Sequence, residues 1–351
     1  MSQMDNRENE QNKDKREYVL TGEREADVVV VGAAILDIPA GPVDASVFGS
    51  GSHPVEAIRM HTGGDALNES IILARMGKRV HLISRVGEDM AGRFIVEQCR
   101  REGIDVSGIK QIPGLDTGIN LVLISPDGER SFVTAASGSL RKQKPSDVVI
   151  SELPKAKILM LASIFVYPEF TVAEMERIFR EAKAAGYLVC ADMTKCKHNE
   201  TLEEIAPALC YVDVIFPNLE EAQKVSGLEE PDEIAEAFLK AGVGTIALKL
   251  GSRGCLIRTD RENTSKGGVY WRHEIEDRWE IPAVPGITPV DTTGAGDTFA
   301  AAFLTGLLEE KTLAECGRMA NAAASVTISE FGATTALKDR DQINALLSVK
   351  D

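Results

Sequence analysis

The stretch DVVVVGAAIL, Asp27 to Leu36, is apolar at consecutive as well as alternate positions. A strand with no polar side must be covered on both faces, which is the condition of a strand inside a parallel sheet. The chain goes on to supply the cover. LNESIILARMG (Leu67 to Gly77) has apolar residues at helical spacing and stops at a glycine. RVHLISRV reads as a strand, MAGRFIVEQCRREG as a helix, KILMLASIF as a second buried strand and TVAEMERIFREAKAAG as its helix. YLVCAD, VDVIF and TIALKL are further strands with helical segments between them. This alternation predicts an α/β fold, a mostly parallel sheet flanked by helices on both faces.

Two stretches break the rhythm. Residues 38–62 hold short extended pieces with Gly and Pro, and residues 117–137 hold two alternating runs around SPDGE, a hairpin signal. Both are expected to build one small antiparallel β lid beside the main sheet, leaving a cleft between them. KGGVYWRHEIEDRWE, Lys266 to Glu280, reads as an excursion. The expected organisation is a disordered tail over residues 1–25, polar and mixed in charge, then a single domain over residues 26–351.

Charge narrows the partners. Against 39 Lys+Arg stand 54 Asp+Glu, a net charge of −15 that repels phosphate backbones and anionic lipid, so neither nucleic acid nor a membrane is expected. ILMLASIFVY is too short to span a bilayer, and the amino-terminal stretch lacks the apolar core of a signal peptide, so a cytoplasmic location is expected. The six scattered cysteines read as free thiols; Cys190, Cys196 and His198 lie close together but at no common zinc spacing.

Chemistry concentrates in DTTGAGDTF, Asp291 to Phe299. Gly294-Ala295-Gly296 is placed at the start of the helix TFAAAFLTGLLEE, where amide groups lack intrahelical partners and the helix dipole favours an anion. Asp297 follows in the first turn. A carboxylate beside an anion hole makes sense as a base that takes a proton from an attacking hydroxyl. It would equally serve as a helix-start residue stabilised by the dipole alone.

DTTGAGDTF resembles the signature of the ribokinase (PfkB) family of sugar kinases. GGDALNESIILARMG, Gly63 to Gly77, resembles that family's amino-terminal signature, and the order of the two and the lid insertions match across residues 27–345. The resemblance implies a ribokinase-like fold, with ATP and Mg²⁺ as cofactors and in-line phosphoryl transfer to a sugar or sugar-acid hydroxyl. It makes Asp297 the base, with Gly294, Ala295 and Gly296 as the anion hole. Asn218 and Glu221 in FPNLEEAQ match a pair that acts near Mg²⁺ and the phosphates, Glu221 through water. As residues alone they also spell a helix capping box. Lys249, Gly251 and Gly254 in KLGSRG, and Asn321, match nucleotide-contacting positions. Asp37, ending the first strand, and Gly64, Asp65 and Asn68 match sugar-contacting ones. Asp291 and Thr293 match positions that hold K⁺ in some relatives, with later carbonyls near Gly332. Lys195, in DMTKCK, stands where some relatives aim a basic residue at the acceptor, which keeps a sugar acid open; as a residue alone it reads as a solvated loop lysine.

Rival readings are a nucleoside kinase of this fold, a catalytically lapsed sugar-binding regulator, and a dinucleotide-dependent oxidoreductase. The last lacks its G-x-G-x-x-G turn, since the first strand runs into GAAILD. Few aromatics beyond Phe48 and Phe132 are on hand in the lid to stack a base. Pairing of lids in a homodimer is also expected.

Overall fold

The computed structural model describes residues 25–126, 129–260 and 276–348. The expected tail, apart from Glu25, the Asp127-Gly128 tip of the hairpin and most of the excursion lie outside the described residues.

Fourteen strands form two sheets among the described residues. The large sheet has β1 (Val28–Val31) in its interior, with two strands on one side and six on the other. To one side lie β5 (Val80–Gly87) and β6 (Ile109–Ile112). To the other lie β9 (Ile158–Ile164), β10 (Leu188–Met193), β11 (Val214–Ile215), β12 (Thr245–Lys249), β13 (Cys255–Thr259) and β14 (Arg278–Ile281). Pairing is parallel except at β12–β13–β14.

The valines of β1 explain the layers. Val28 and Val30 enter one core, with α1 (Asp65–Arg75), α7 (Ala295–Leu308) and α8 (Leu313–Thr327). Val29 and Val31 enter the other, with α3 (Val172–Ala184), α4 (Leu202–Leu209), α5 (Leu219–Ser226) and α6 (Pro231–Lys240). α2 (Met90–Arg101) and α9 (Arg340–Ser348) complete the helices among the described residues. Val28 and Val30 on one side and Val29 and Val31 on the other are all buried, so the strand has no solvent face, as its composition demands.

DVVVVGAAIL is not one strand. β1 ends at Val31, and β2 (Ile35–Gly41) leaves for the lid. Gly32 is the crossing: a Cβ there would lie 2.7 Å from the Tyr167 hydroxyl and 2.9 Å from Ala66 Cβ. Asp37 is therefore in the lid rather than at the end of the first strand.

The lid sheet holds β2, β3 (Ala57–Ile58), β4 (His61–Gly63), β7 (Ile119–Ile124) and β8 (Arg130–Thr134). Its pairs are antiparallel save β2–β7, which is parallel because both strands leave the large sheet in the same direction. Register sets its two faces. Asp37 pairs with Asn120 and Asn120 with Thr134; Val122 pairs with Phe132 and Ile124 with Arg130, making one face. Ile38, Leu121 and Val133 make the other. No helix among the described residues is long and apolar enough to cross a membrane.

Candidate active site

A cavity of about 560 Å³ opens where the carboxyl ends of β9, β10 and β12 meet the start of α7, the crevice position of open α/β sheets. Asp65, Ser163, Asp192, Asn218, Glu221, Lys249, Ala295, Gly296, Asp297 and Asn321 are among its walls, with Gly251 and Gly254.

Gly294 caps α7 with φ 75°, a left-handed turn that glycine adopts without strain. Its missing Cβ would lie 2.5 Å from Ala333 Cβ, so this glycine also lets the turn press on the 331–333 loop. The amide of Ala295 turns back to Thr292 O at 3.3 Å. Ala295, Gly296 and Asp297 all line the cavity.

Asp297 accepts one hydrogen bond, from Asn68 Nδ2 at 2.7 Å. That bond crosses between α1 and α7, which are packed together. Burial, the nearby Asp65 and, opposing them, the Asn68 amide combine to hold the Asp297 carboxyl well above the usual range. A carboxylate so placed is a stronger base than a solvated one. Asp65 accepts from the Ser163 hydroxyl, and burial raises it too. Asp37 accepts from Asn120 Nδ2 at 2.9 Å, and burial pushes it up to about 6. Gly63 lies against it: a Cβ there would be 2.2 Å from Asp37 Oδ2.

Lys249 is the cation of the cavity. Its Nζ donates to Asp192 at 2.8 and 3.0 Å. Burial works against the ammonium, but Asp192 and Glu221 outweigh it and hold its pKa above the ordinary value. A Cβ at Gly296 would lie 3.2 Å from Nζ, so the charge sits directly beside the helix start. Asn218 and Glu221 are a capping box: Asn218 Oδ1 accepts from Glu221 N at 2.9 Å, and Glu221 Oε2 from Asn218 N at 2.8 Å. Both residues also line the cavity. Asn321 lines it as well, but its amide holds Ile281 O and Pro282 O at 3.1 and 3.0 Å.

Two expectations are corrected. Lys195 is exposed, paired with Glu220 at 2.5 Å, and absent from the cavity wall. It follows the carboxyl end of β10 into a solvated loop, so the acceptor side receives no cation from it. Asp291 and Thr293, expected around K⁺, instead hold the Arg130 guanidinium through Asp291 Oδ1 and Thr293 Oγ1. Asp291 also accepts from Thr293 N at 2.6 Å and Gly332 N at 2.7 Å.

Sequence reasoning missed Asp192, an acid at the end of a buried strand, which was a usable signal. It also missed Glu69, whose position in an apolar helix gave none. Glu69 is fully buried with both carboxyl oxygens unpartnered among the described residues. Burial and then Asp192 and Asp297 push it well above the carboxylate range.

A mostly parallel sheet, a small lid and an acid beside a glycine turn at a helix start define a phosphoryl-transferring α/β enzyme. The pfkB carbohydrate kinase family model matches residues 25–340, so the chain belongs to that family and is a carbohydrate kinase. It is 27% identical over 286 residues to the ribokinase of Haemophilus influenzae, covering 80% of this chain and 85% of that protein. It is 25% identical over 315 residues to the 2-dehydro-3-deoxygluconokinase of Bacillus subtilis, covering 86% and 90%. The structure of Arabidopsis thaliana ribokinase complexed with ribose and ATP superposes with a TM-score of 0.74 at 26% identity, covering 93% of this chain and 99% of that one.

Proposed function

We propose that this kinase transfers the terminal phosphoryl group of ATP to a hydroxyl of a neutral sugar. One observation carries the reading. Asp297 stands at the helix start behind the glycine turn, in one cavity with Asp65 and Lys249, positioned by Asn68. ATP lies along the cavity past Gly251, Gly254 and Asn321. Its terminal phosphate is held at Gly294–Gly296, with Lys249 balancing the charge. The sugar lies under the lid, its hydroxyls donating to Asp37 and Asp65. Asp297 takes the proton of the attacking hydroxyl.

Carboxylate oxygens and water suit Mg²⁺, and Glu221 has such oxygens in the cavity wall. With one oxygen already bonded to Asn218 N, Glu221 would hold Mg²⁺ through water. Bound there, Mg²⁺ neutralises phosphate charge.

A neutral acceptor is favoured over a sugar acid because Asp37, Asp65 and Asp297 crowd the acceptor side. Lys249 is already matched to Asp192, and Lys195 is turned to solvent. An added carboxylate would face these three acids, with only Lys249 and Lys197, which already act on Asp65, to balance it. The test is ADP release with a panel of aldoses, ketoses, aldonates and nucleosides, on the wild type and Asp297→Asn. A neutral sugar should be the best acceptor, and the variant should be inactive with it. Equal rates for both proteins, or a preferred aldonate, would overturn the reading.

We also propose a homodimer through the lid. Ile58, Val133 and Leu121 of its outer face are 66%, 56% and 37% exposed, an apolar surface that a second copy would cover. Light scattering should report twice the chain mass; a monomer at working concentration rejects the dimer.

A further inference from the structure

The ion pair between lid and glycine turn has a chemistry of its own. Arg130 is the first residue of β8, on the lid face shared by Asp37, Asn120 and Phe132. Its guanidinium reaches across to Asp291 and Thr293, three and one residues before Gly294. The two side chains are 14% and 4% exposed, so the pair is nearly dry. Asp291 gathers three segments at once: the lid through Arg130, its own turn through Thr293 N and the 331–333 loop through Gly332 N. The last of these is the loop on which Gly294 rests.

A monovalent cation does not fit this arrangement. Asp291 Oδ1 is shared between a guanidinium and an amide, Oδ2 is taken by Gly332 N, and Thr293 Oγ1 is also on Arg130. A potassium ion at these oxygens would lie against a fixed positive charge.

We propose that Arg130 is the built-in cation of this site: it sets the glycine turn in its phosphate-binding shape and makes the kinase independent of potassium. The charge belongs to the lid, so lid and turn are fastened together by a pair that cannot diffuse away. Arg130 is a positioning residue, acting on the reaction through Asp291 and the turn. The inference rests on the kinase class and not on which sugar is phosphorylated.

The experiment compares potassium chloride with tetramethylammonium chloride at equal ionic strength, for the wild type and Arg130→Met. Wild-type kcat should agree within about twofold between the salts, and Arg130→Met should lose about tenfold to hundredfold in kcat with a smaller change in the KM for ATP, as expected when groups that shape an anion hole are disturbed. Potassium should recover part of the variant's rate and raise its melting temperature, while leaving that of the wild type unchanged. A wild type activated about tenfold or more by potassium, or a variant with undiminished kcat, overturns the proposal. The melting comparison needs no acceptor, so it decides the question even if the sugar panel fails. The wild-type salt comparison stands if Arg130→Met does not fold, and Arg130→Lys should then keep partial activity without potassium.

Discussion

Asp291 and Asp297 stand six residues apart on either side of one glycine turn, and the structure treats them in opposite ways. Asp291 is saturated: two backbone amides and a guanidinium fill its oxygens. Asp297 has a single side-chain donor and a cavity in front of it. The comparison separates a carboxylate that organises a turn from one left free to react. Hydrogen-bond saturation, more than burial or position in the motif, distinguishes them.

The largest effect should come from Asp297→Asn. Loss of the base predicts a fall of about 10²–10⁴-fold in kcat, with melting temperature unchanged or higher because a crowded acid is removed. The pH profile of the wild type sharpens the point. The base works only when ionised and its pKa is raised, so kcat should fall with decreasing pH already above the ordinary carboxylate range. A titration at the usual Asp value would break the comparison.

Asp291→Ala should do the reverse, acting first on stability. It leaves the Arg130 charge and two amides without their acceptor, a loss of about 3–5 kcal/mol, read as a lower denaturant midpoint. An unchanged midpoint would show that saturation at Asp291 is not structural.

Asp37→Asn is the smallest and most specific. Asp37 has a folded pKa of about 6 against an ordinary value near 4 in the unfolded chain, so its protonated form stabilises the fold at low pH. That contribution disappears as pH rises through about 6. The variant's melting temperature should therefore gain on the wild type between about pH 4 and pH 7. A constant difference would mean that the carboxyl is not held in the burial described.

Much of this was legible in the chain. The valine run of β1 demanded cover on both faces, and the glycines of residues 294–296 announced the turn that opens the next helix. Asn218 and Glu221 allowed two readings, of which the capping box is the one the hydrogen bonds display. What escaped depends on distant partners. Arg130 reads as an ordinary hairpin-flank residue because its acid lies 161 positions away. Asp192 and Lys249 lie at the ends of separate strands, and they meet because β10 and β12 flank the short β11. Lys195 misled because local sequence does not report which way a loop side chain turns. Gly32 sits inside an unbroken apolar run, and nothing local says that the chain changes sheets there.

That crossing makes the lid a poor module. β1 passes into β2 through three residues, and the first of them has no room for a side chain beside Tyr167 and Ala66. The lid is thus an extension of an interior strand of the large sheet rather than an appended piece. Grafting another family member's lid onto this chain, or cutting this one away, would mean rebuilding a buried strand of the large sheet as well.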